Sequence, residues 1–193
     1  MKLHQFLFRY RSYTPIPFIM VMLLYAQPSV GSFSIGLVLV VCGELIRFWG
    51  VAIAGSETRT TEKLAGTALV TSGPYAYVRN PLYIGNMLMY FGFAIIANVG
   101  IPYVPLFVAA FFLIQYIFIV QLEESYLLTK FGSEYETYCR TVPRFFPRWK
   151  KNNFGETKKL QFDFQKGIRS ERRTLQASIL LVTAFLLRWQ LWR

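Results

Sequence analysis

The feature that most constrains this chain is a set of long apolar segments that carry few charges. A helix that crosses the hydrocarbon core of a bilayer needs about 20 mostly apolar residues. Four segments reach or approach that length, at residues 15–30, 33–54, 82–98 and 101–122. The first is short, and residues 6–13 could extend it. We expect a fifth segment, 175–191, to span as well, although Arg188 interrupts it and a tilted or interfacial position is the alternative.

The composition agrees with a membrane protein. The chain has 193 residues, of which 54% are hydrophobic and only 16% charged, too few to cover an ordinary soluble core. We therefore predict an all-α, polytopic transmembrane helix bundle of about five spans that forms one domain over residues 1–193. We expect the net charge of +11 to interact with anionic lipid headgroups and not with nucleic acid, because a soluble nucleic-acid-binding protein would not contain such apolar segments.

Metal and histidine chemistry are not expected. The only histidine is His4, near the N-terminus, and the two cysteines, Cys42 and Cys139, lie far apart in the sequence. No disulfide framework or metal-ligand spacing is present in the sequence.

Basic residues near the ends of the segments predict the orientation. The N-terminal stretch carries Lys2, Arg9 and Arg11, and residues 123–173 carry twelve more. The loop at 55–80 is basic as well, through Arg59, Lys63 and Arg79, whereas the links near Gly31 and Gly100 carry no basic residue. Because Lys and Arg accumulate on the cytoplasmic side, we expect the N-terminus and both long polar stretches to be cytoplasmic.

The unusual residues lie in those two polar stretches. The first ends in GPYAYVRNPLYIGN, residues 73–86, where Gly73-Pro74 predicts a turn and Pro81 suits the first turn of a helix. The second begins with Glu123 and Glu124 and continues with apolar and tyrosine residues three to four apart. That spacing predicts an amphipathic helix, broken around Gly132.

Glu44 and Arg47 are three residues apart in a segment that has no other charge. Such a pair is either an intrahelical ion pair that lowers the cost of insertion or part of a functional site. The spacing alone leaves both interpretations open.

Taken together, LVTSGPYAYVRNPLYIG at 69–85, the glutamate pair and FGSEYETYCRTVPRFFP at 131–147 resemble the isoprenylcysteine carboxyl methyltransferase and phospholipid methyltransferase superfamily. The resemblance covers about residues 43–147. It implies a membrane enzyme that holds S-adenosylmethionine in its cytoplasmic half, in a pocket formed by the loop and the amphipathic helix, and methylates a lipophilic acceptor in the bilayer. Asn80 departs from the pattern, because family members commonly have histidine there.

The resemblance also implies the site residues. The implied cofactor contacts are Gly73, Tyr75, Arg79, Asn80, Pro81, Tyr83, Glu123 and Glu124. Glu123 or Glu124 could pair with the ammonium or the ribose of the cofactor, and Arg79 could pair with the cofactor's carboxylate. A tyrosine could pack on the adenine ring. For the acceptor we expect Glu44, Arg47 and Arg144 to bind it, and Glu44, Arg47 and Tyr83 to take part in the transfer.

Several acceptors and functions stay open at this stage. A carboxylate acceptor, such as a prenylcysteine, needs no base, whereas a phospholipid amine would need one, for which Glu44 or a buried tyrosine is the candidate. A non-catalytic module that binds lipids or a partner is a further alternative. Sterol reductases share a similar C-terminal half, but their resemblance includes a nicotinamide cofactor and about twice as many spans, which this length disfavours. The sequence leaves the oligomeric state open.

Overall fold

The computed structural model describes residues 3–55, 69–150 and 161–191. These residues form helices and no strand, as predicted. The helices are α1 (Leu3–Tyr10), α2 (Pro15–Tyr25), α3 (Val30–Ala54), α4 (Pro81–Ala97), α5 (Tyr103–Phe131), α6 (Ser133–Thr141) and α7 (Phe164–Leu191), with a 3₁₀ turn at Gly73–Ala76. Lys2, Arg59, Lys63 and residues 151–160, all used to predict the orientation, lie outside the described residues.

The predicted membrane helix bundle is confirmed. Three helices, α3, α5 and α7, are long and apolar enough to cross a membrane, and the shorter α2 and α4 are apolar as well. The fifth predicted segment lies within α7, a single helix of 28 residues. The chain is therefore an integral membrane protein, and its five apolar helices lie where the apolar segments of the sequence predicted them.

The first segment is not lengthened by the residues before it. Helix α1 ends at Tyr10, whose carbonyl accepts hydrogen bonds from the amides of Tyr13 and Thr14 in a turn. Helix α2 then starts at Pro15 and has a second proline at 17. Because proline has no N–H, the helical hydrogen bonds cannot run unbroken from α1 into α2. The possible extension over 6–13 is thus wrong.

Glycines allow α3 and α4 to pack closely as an antiparallel pair. A Cβ added to Gly43 would lie 2.6 Å from the carbonyl oxygen of Gly85, and one added to Gly36 would lie 2.5 Å from that of Gly92. Both glycine pairs are seven residues apart on their helices, so the two contacts lie on one face. Small residues are what allow helix backbones to approach each other in a membrane, where lipid tails remove the hydrophobic drive for association.

Helix α5 continues past its apolar part into the second polar stretch. It ends at Phe131, Gly132 follows with φ of +51°, and α6 begins at Ser133. The predicted break at Gly132 is confirmed. Helix α6 buries Tyr135 and Tyr138 against Leu69, and the chain after it hydrogen-bonds back to the loop before α4. These contacts place α6 beside the motif at 73–86.

We expect Gly43→Ala to destabilise the protein by about 2 kcal/mol, because the new methyl group would overlap the backbone of α4. Gly31→Ala is the matched control, since a Cβ at Gly31 meets nothing within 4 Å. Thermal unfolding in detergent measures both variants. Equal unfolding temperatures for the two variants would contradict the close-packing assignment.

Candidate functional site

A cavity of about 660 Å³ lies inside the bundle and is lined by residues of α2 to α7, the 3₁₀ turn and the loops beside them. A volume of this size is typical of sites for small molecules and cofactors. The cavity touches two packed clusters. We call its two ends the aromatic end, which includes Tyr135, Tyr138, Leu127 and Phe131, and the apolar end, which includes Ile16, Ile19, Met89, Phe93 and Leu181.

An ion network holds the loop before α4 to the chain after α6. The carboxylate of Glu124 lies 3.2 Å from Nη1 of Arg79 and accepts a hydrogen bond of 3.1 Å from Nε of Arg144. Nη2 of Arg144 donates to the other oxygen of Glu124. The hydrogen bonds that Arg144 donates to Glu124 raise the pKa of its guanidinium, so it stays charged. One carboxylate thus serves two arginines from separate segments.

Asn80 completes the connection between those segments. Its Nδ2 donates to the backbone carbonyl of Arg144 at 3.1 Å, and the amide of Arg79 donates to the carbonyl of Pro143 at 2.9 Å. Asn80 occupies the N-cap position of α4, but its side chain makes no capping hydrogen bond there. Pro81 follows as the first residue of the helix, where its missing N–H costs nothing.

Two tyrosines of the motif differ in their hydrogen bonds. The Tyr83 hydroxyl donates to Oε1 of Glu123 at 2.6 Å. Tyr75 is only 9% exposed and its backbone carbonyl accepts from the Tyr138 hydroxyl, but its own hydroxyl is buried with no hydrogen-bond partner among the described residues. Burial, with a smaller effect of the Glu123 charge, raises the pKa of Tyr75, so the phenol stays neutral.

Arg47 joins three helices next to the cavity. Its Nη2 lies 3.0 Å and 3.1 Å from the two carboxylate oxygens of Glu171 on α7, and its Nη1 donates to Oδ1 of Asn86 on α4. Glu44, one turn earlier on α3, accepts a hydrogen bond of 2.6 Å from Ser178, also on α7. The ion pair of Arg47 therefore connects two helices, and the intrahelical interpretation is wrong for Arg47.

Of the residues predicted for the site, eight line the cavity: Arg47, Tyr75, Arg79, Asn80, Pro81, Tyr83, Glu123 and Glu124. Glu44, Gly73 and Arg144 are not part of its lining. Gly73 has φ of +61°, and a Cβ there would lie 2.7 Å from Cγ1 of Ile53, so it shapes the turn that places Tyr75. Arg144 donates a hydrogen bond to the lining residue Glu124, and Glu44 accepts one from the lining residue Ser178.

Sequence reasoning missed Glu171, Asn86 and Ser178. Glu171 is fully buried, yet in the sequence it stands between Ser170 and two arginines and has the pattern of a solvated residue. The signal for Asn86 was available, since it is the only amide side chain within the apolar helix α4. A polar residue in such a helix usually faces a partner or a cavity.

Comparison with known proteins identifies the family. The family model described as phospholipid methyltransferase matches residues 32–134, more than half of the chain. The chain belongs to this family. The match includes α3, α4, α5 and the motif at 73–86, which supply most of the polar lining of the cavity.

Individual relatives match over part of their length. The cobalt-zinc-cadmium resistance protein CzcN of Cupriavidus metallidurans is 34% identical over 104 residues, which are 53% of this chain and 43% of that protein. Protein-S-isoprenylcysteine O-methyltransferase of Tribolium castaneum is 33% identical over 120 residues, 59% of this chain and 41% of that protein. The chain thus spans about half the length of the curated relatives that it matches. No solved structure matches.

We expect Glu171→Gln to destabilise the protein by about 3 kcal/mol, because it leaves the buried Arg47 charge without its counter-ion. The double variant Arg47→Gln, Glu171→Gln should lose less than the sum of the two single variants. Glu134→Gln, at an exposed carboxylate of α6, is the control and should unfold like the parent protein. Additive losses in thermal unfolding would show that the pair does not act as a unit.

Proposed function

We propose that this protein transfers a methyl group from S-adenosylmethionine to a lipophilic acceptor in the membrane, with a prenylcysteine-like carboxylate as the best candidate. The observation that carries the proposal is one continuous cavity whose lining combines the charged motif residues with an aromatic and an apolar set of side chains. A polar cofactor and an apolar acceptor need such a shared cavity in order to meet. The isoprenylcysteine O-methyltransferases among the relatives support the same reaction.

The residues present fit the cofactor. Nε of Arg79 is buried and has no hydrogen-bond partner among the described residues, so it can take the carboxylate of the cofactor. Glu123 and Glu124 already accept protein hydrogen bonds, but a carboxylate has about four acceptor positions and can also bind the ammonium or the ribose. The aromatic end suits the adenine ring. When bound, the cofactor supplies a methyl group on a sulfonium sulfur.

The acceptor would approach from the apolar end, where Arg47 can bind its carboxylate. Arg47 would hold the acceptor so that a carboxylate oxygen could bond to the methyl carbon, and the cofactor would supply that methyl group and keep the electron pair of the broken carbon–sulfur bond. No proton moves, so this reaction needs no base. Because the reaction combines an anion with a cation, excluding water from the cavity favours it.

A phospholipid amine is the alternative acceptor, and the name of the family model favours it. An amine must lose a proton before or during transfer. Glu44 is the candidate base but lies outside the cavity lining, and Tyr83 already donates to Glu123. A non-catalytic module that binds lipids or a partner protein is the alternative from another class. It predicts no adenosyl ligand at this site.

We further propose that the N-terminus and the cofactor site face the cytoplasm. Arg9, Arg11 and Arg79, together with the basic residues of 123–150, lie at one set of helix ends, and positive charge accumulates on the cytoplasmic side. Membrane lipids would contact the apolar helices.

Calorimetric titration of the detergent-solubilised protein with S-adenosylhomocysteine should show binding, and NADPH should show none. A labelled methyl group should then pass from S-adenosylmethionine to N-acetyl-S-farnesylcysteine or to a component of a lipid extract.

Arg79→Lys should weaken S-adenosylhomocysteine binding about ten-fold, because an ammonium cannot keep both the Glu124 contact and a second one in the cavity. Absence of S-adenosylhomocysteine binding in the parent protein would refute the proposed function.

Asn80→His should retain substantial activity, whereas Asn80→Leu should lose most of it. An imidazole N–H can replace Nδ2 in the hydrogen bond to the Arg144 carbonyl, whereas leucine cannot. The leucine variant would therefore lose this hydrogen bond between the loop before α4 and the chain after α6. Labelled methyl transfer measures both variants, with thermal unfolding as the control for folding. Full activity of Asn80→Leu would show that Asn80 has no role in the site and is only part of the turn before α4.

A further inference from the structure

Besides Nε of Arg79, two further buried hydrogen-bond donors in the cavity wall have no partner among the described residues. One is the hydroxyl of Tyr75, and the other is the Nε–H of Arg47. Buried polar groups in native proteins are almost always hydrogen-bonded, and an unsatisfied one is costly. Two such groups in one cavity indicate a ligand that accepts from both.

Gly50 of α3 lies next to the Tyr75 hydroxyl. A Cβ added to Gly50 of α3 would lie 3.6 Å from this hydroxyl and 2.8 Å from Cδ2 of Leu82, so a larger residue would crowd the site. Gly50 is three residues after Arg47 and therefore lies on the same face of α3. The Tyr75 hydroxyl is thus about one helical turn from the origin of the Arg47 side chain.

The remaining capacity of Arg47 explains why a second donor is needed. Nη1 donates to Asn86, and Nη2 donates to Glu171 and lies 3.5 Å from the Thr174 hydroxyl, so Nε is the one nitrogen of Arg47 without a partner among the described residues. Because Glu171 already occupies Nη2, the guanidinium cannot bind a second carboxylate through both terminal nitrogens at once. A carboxylate held by Nε–H alone would have one oxygen without a donor.

The Tyr75 phenol supplies a donor of the right kind. Burial raises the pKa of this hydroxyl, which keeps it protonated. One neutral O–H and one cationic N–H together match an anion with two acceptor oxygens. A protonated amine brings only donors and would satisfy neither group.

We propose that the Tyr75 hydroxyl and the Arg47 Nε–H together hold the two oxygens of the carboxylate of the methyl acceptor, so that Tyr75 selects a carboxylate acceptor over its neutral or amine counterparts. This inference rests on the proposed function and specifies the acceptor within it. Tyr75 then binds the acceptor through its hydroxyl, in addition to any packing of its ring against the cofactor.

The test uses the full chain saturated with S-adenosylhomocysteine and two probes, N-acetyl-S-farnesylcysteine and its carboxamide. Calorimetry should show that the parent protein prefers the carboxylate. Tyr75→Phe removes the hydroxyl and keeps the ring, and it should weaken carboxylate binding about ten-fold, a typical effect of losing one hydrogen bond to a charged group. Binding of the carboxamide and of S-adenosylhomocysteine should change by less than about two-fold.

Two variants separate this role from a structural one. Tyr77→Phe alters a tyrosine of the same short segment that is not part of the cavity lining, and it should bind both probes like the parent. Tyr138→Phe removes a hydroxyl that donates to the Tyr75 carbonyl at 2.8 Å and should lower the unfolding temperature. Tyr75→Phe removes an unsatisfied hydroxyl and should leave the unfolding temperature of the ligand-free protein unchanged or higher.

Each other outcome overturns the inference. If Tyr75→Phe weakens S-adenosylhomocysteine binding and leaves carboxylate binding intact, the hydroxyl serves the cofactor. If binding is unchanged, or if only the unfolding temperature falls, the hydroxyl has no acceptor role. Equal binding of both probes by the parent protein overturns the inference alone, provided that S-adenosylhomocysteine binds. Failure of the parent to bind S-adenosylhomocysteine removes the proposed function and the inference together.

Discussion

The buried contact between Arg47 and Glu171 is the interaction on which the site depends. It joins α3 to α7, and through Asn86 it also joins α4, so the three helices that carry it share one side of the cavity. A charged pair in a bilayer is costly unless both partners are satisfied. Here the pair fixes the guanidinium beside the cavity, and its Nε–H has no partner among the described residues.

The polar groups of the cavity fall into two kinds. Glu123 and Glu124 are each held by protein donors, and Glu124 ties two chain segments together across the aromatic end. The Nε groups of Arg47 and Arg79 and the hydroxyl of Tyr75 are buried donors without a partner among the described residues. The carboxylates therefore maintain the shape of the site, and the unsatisfied donors indicate where anionic parts of ligands would bind.

The sequence was sufficient for the bundle because apolar length is a local property. The break at Gly132, the turn at Gly73 and the start of α4 at Pro81 were also predictable, since each depends on the backbone preferences of one or two residues. The separation of α1 from α2 could have been read from Pro15 and Pro17, but the hydrophobic pattern alone concealed it.

The partners of the charged residues could not be predicted in the same way. Glu171 lies 124 residues from Arg47 in the sequence, in a stretch whose composition is that of a solvated helix. Only the packing of α7 on α3 shows that this one face is buried. The same holds for Tyr75, because a missing hydrogen bond depends on the position of every neighbouring group and leaves no pattern in the chain.

The two walls of the cavity are stabilised by different forces. Helices α3 and α4 are held by close backbone packing at Gly36, Gly43, Gly85 and Gly92, which gains dispersion energy along the whole contact. Helix α7 is mostly exposed along its apolar part, and its polar contacts to the bundle include those of Glu171 to Arg47, of Ser178 to Glu44 and of Arg188 to the Leu24 carbonyl. Polar contacts are directional, whereas small-residue packing is not. The position of α7, and with it the shape of the cavity near Arg47, is therefore set by these directional hydrogen bonds together with the packing of the buried Phe185, and one of the hydrogen-bonded groups belongs to the site itself.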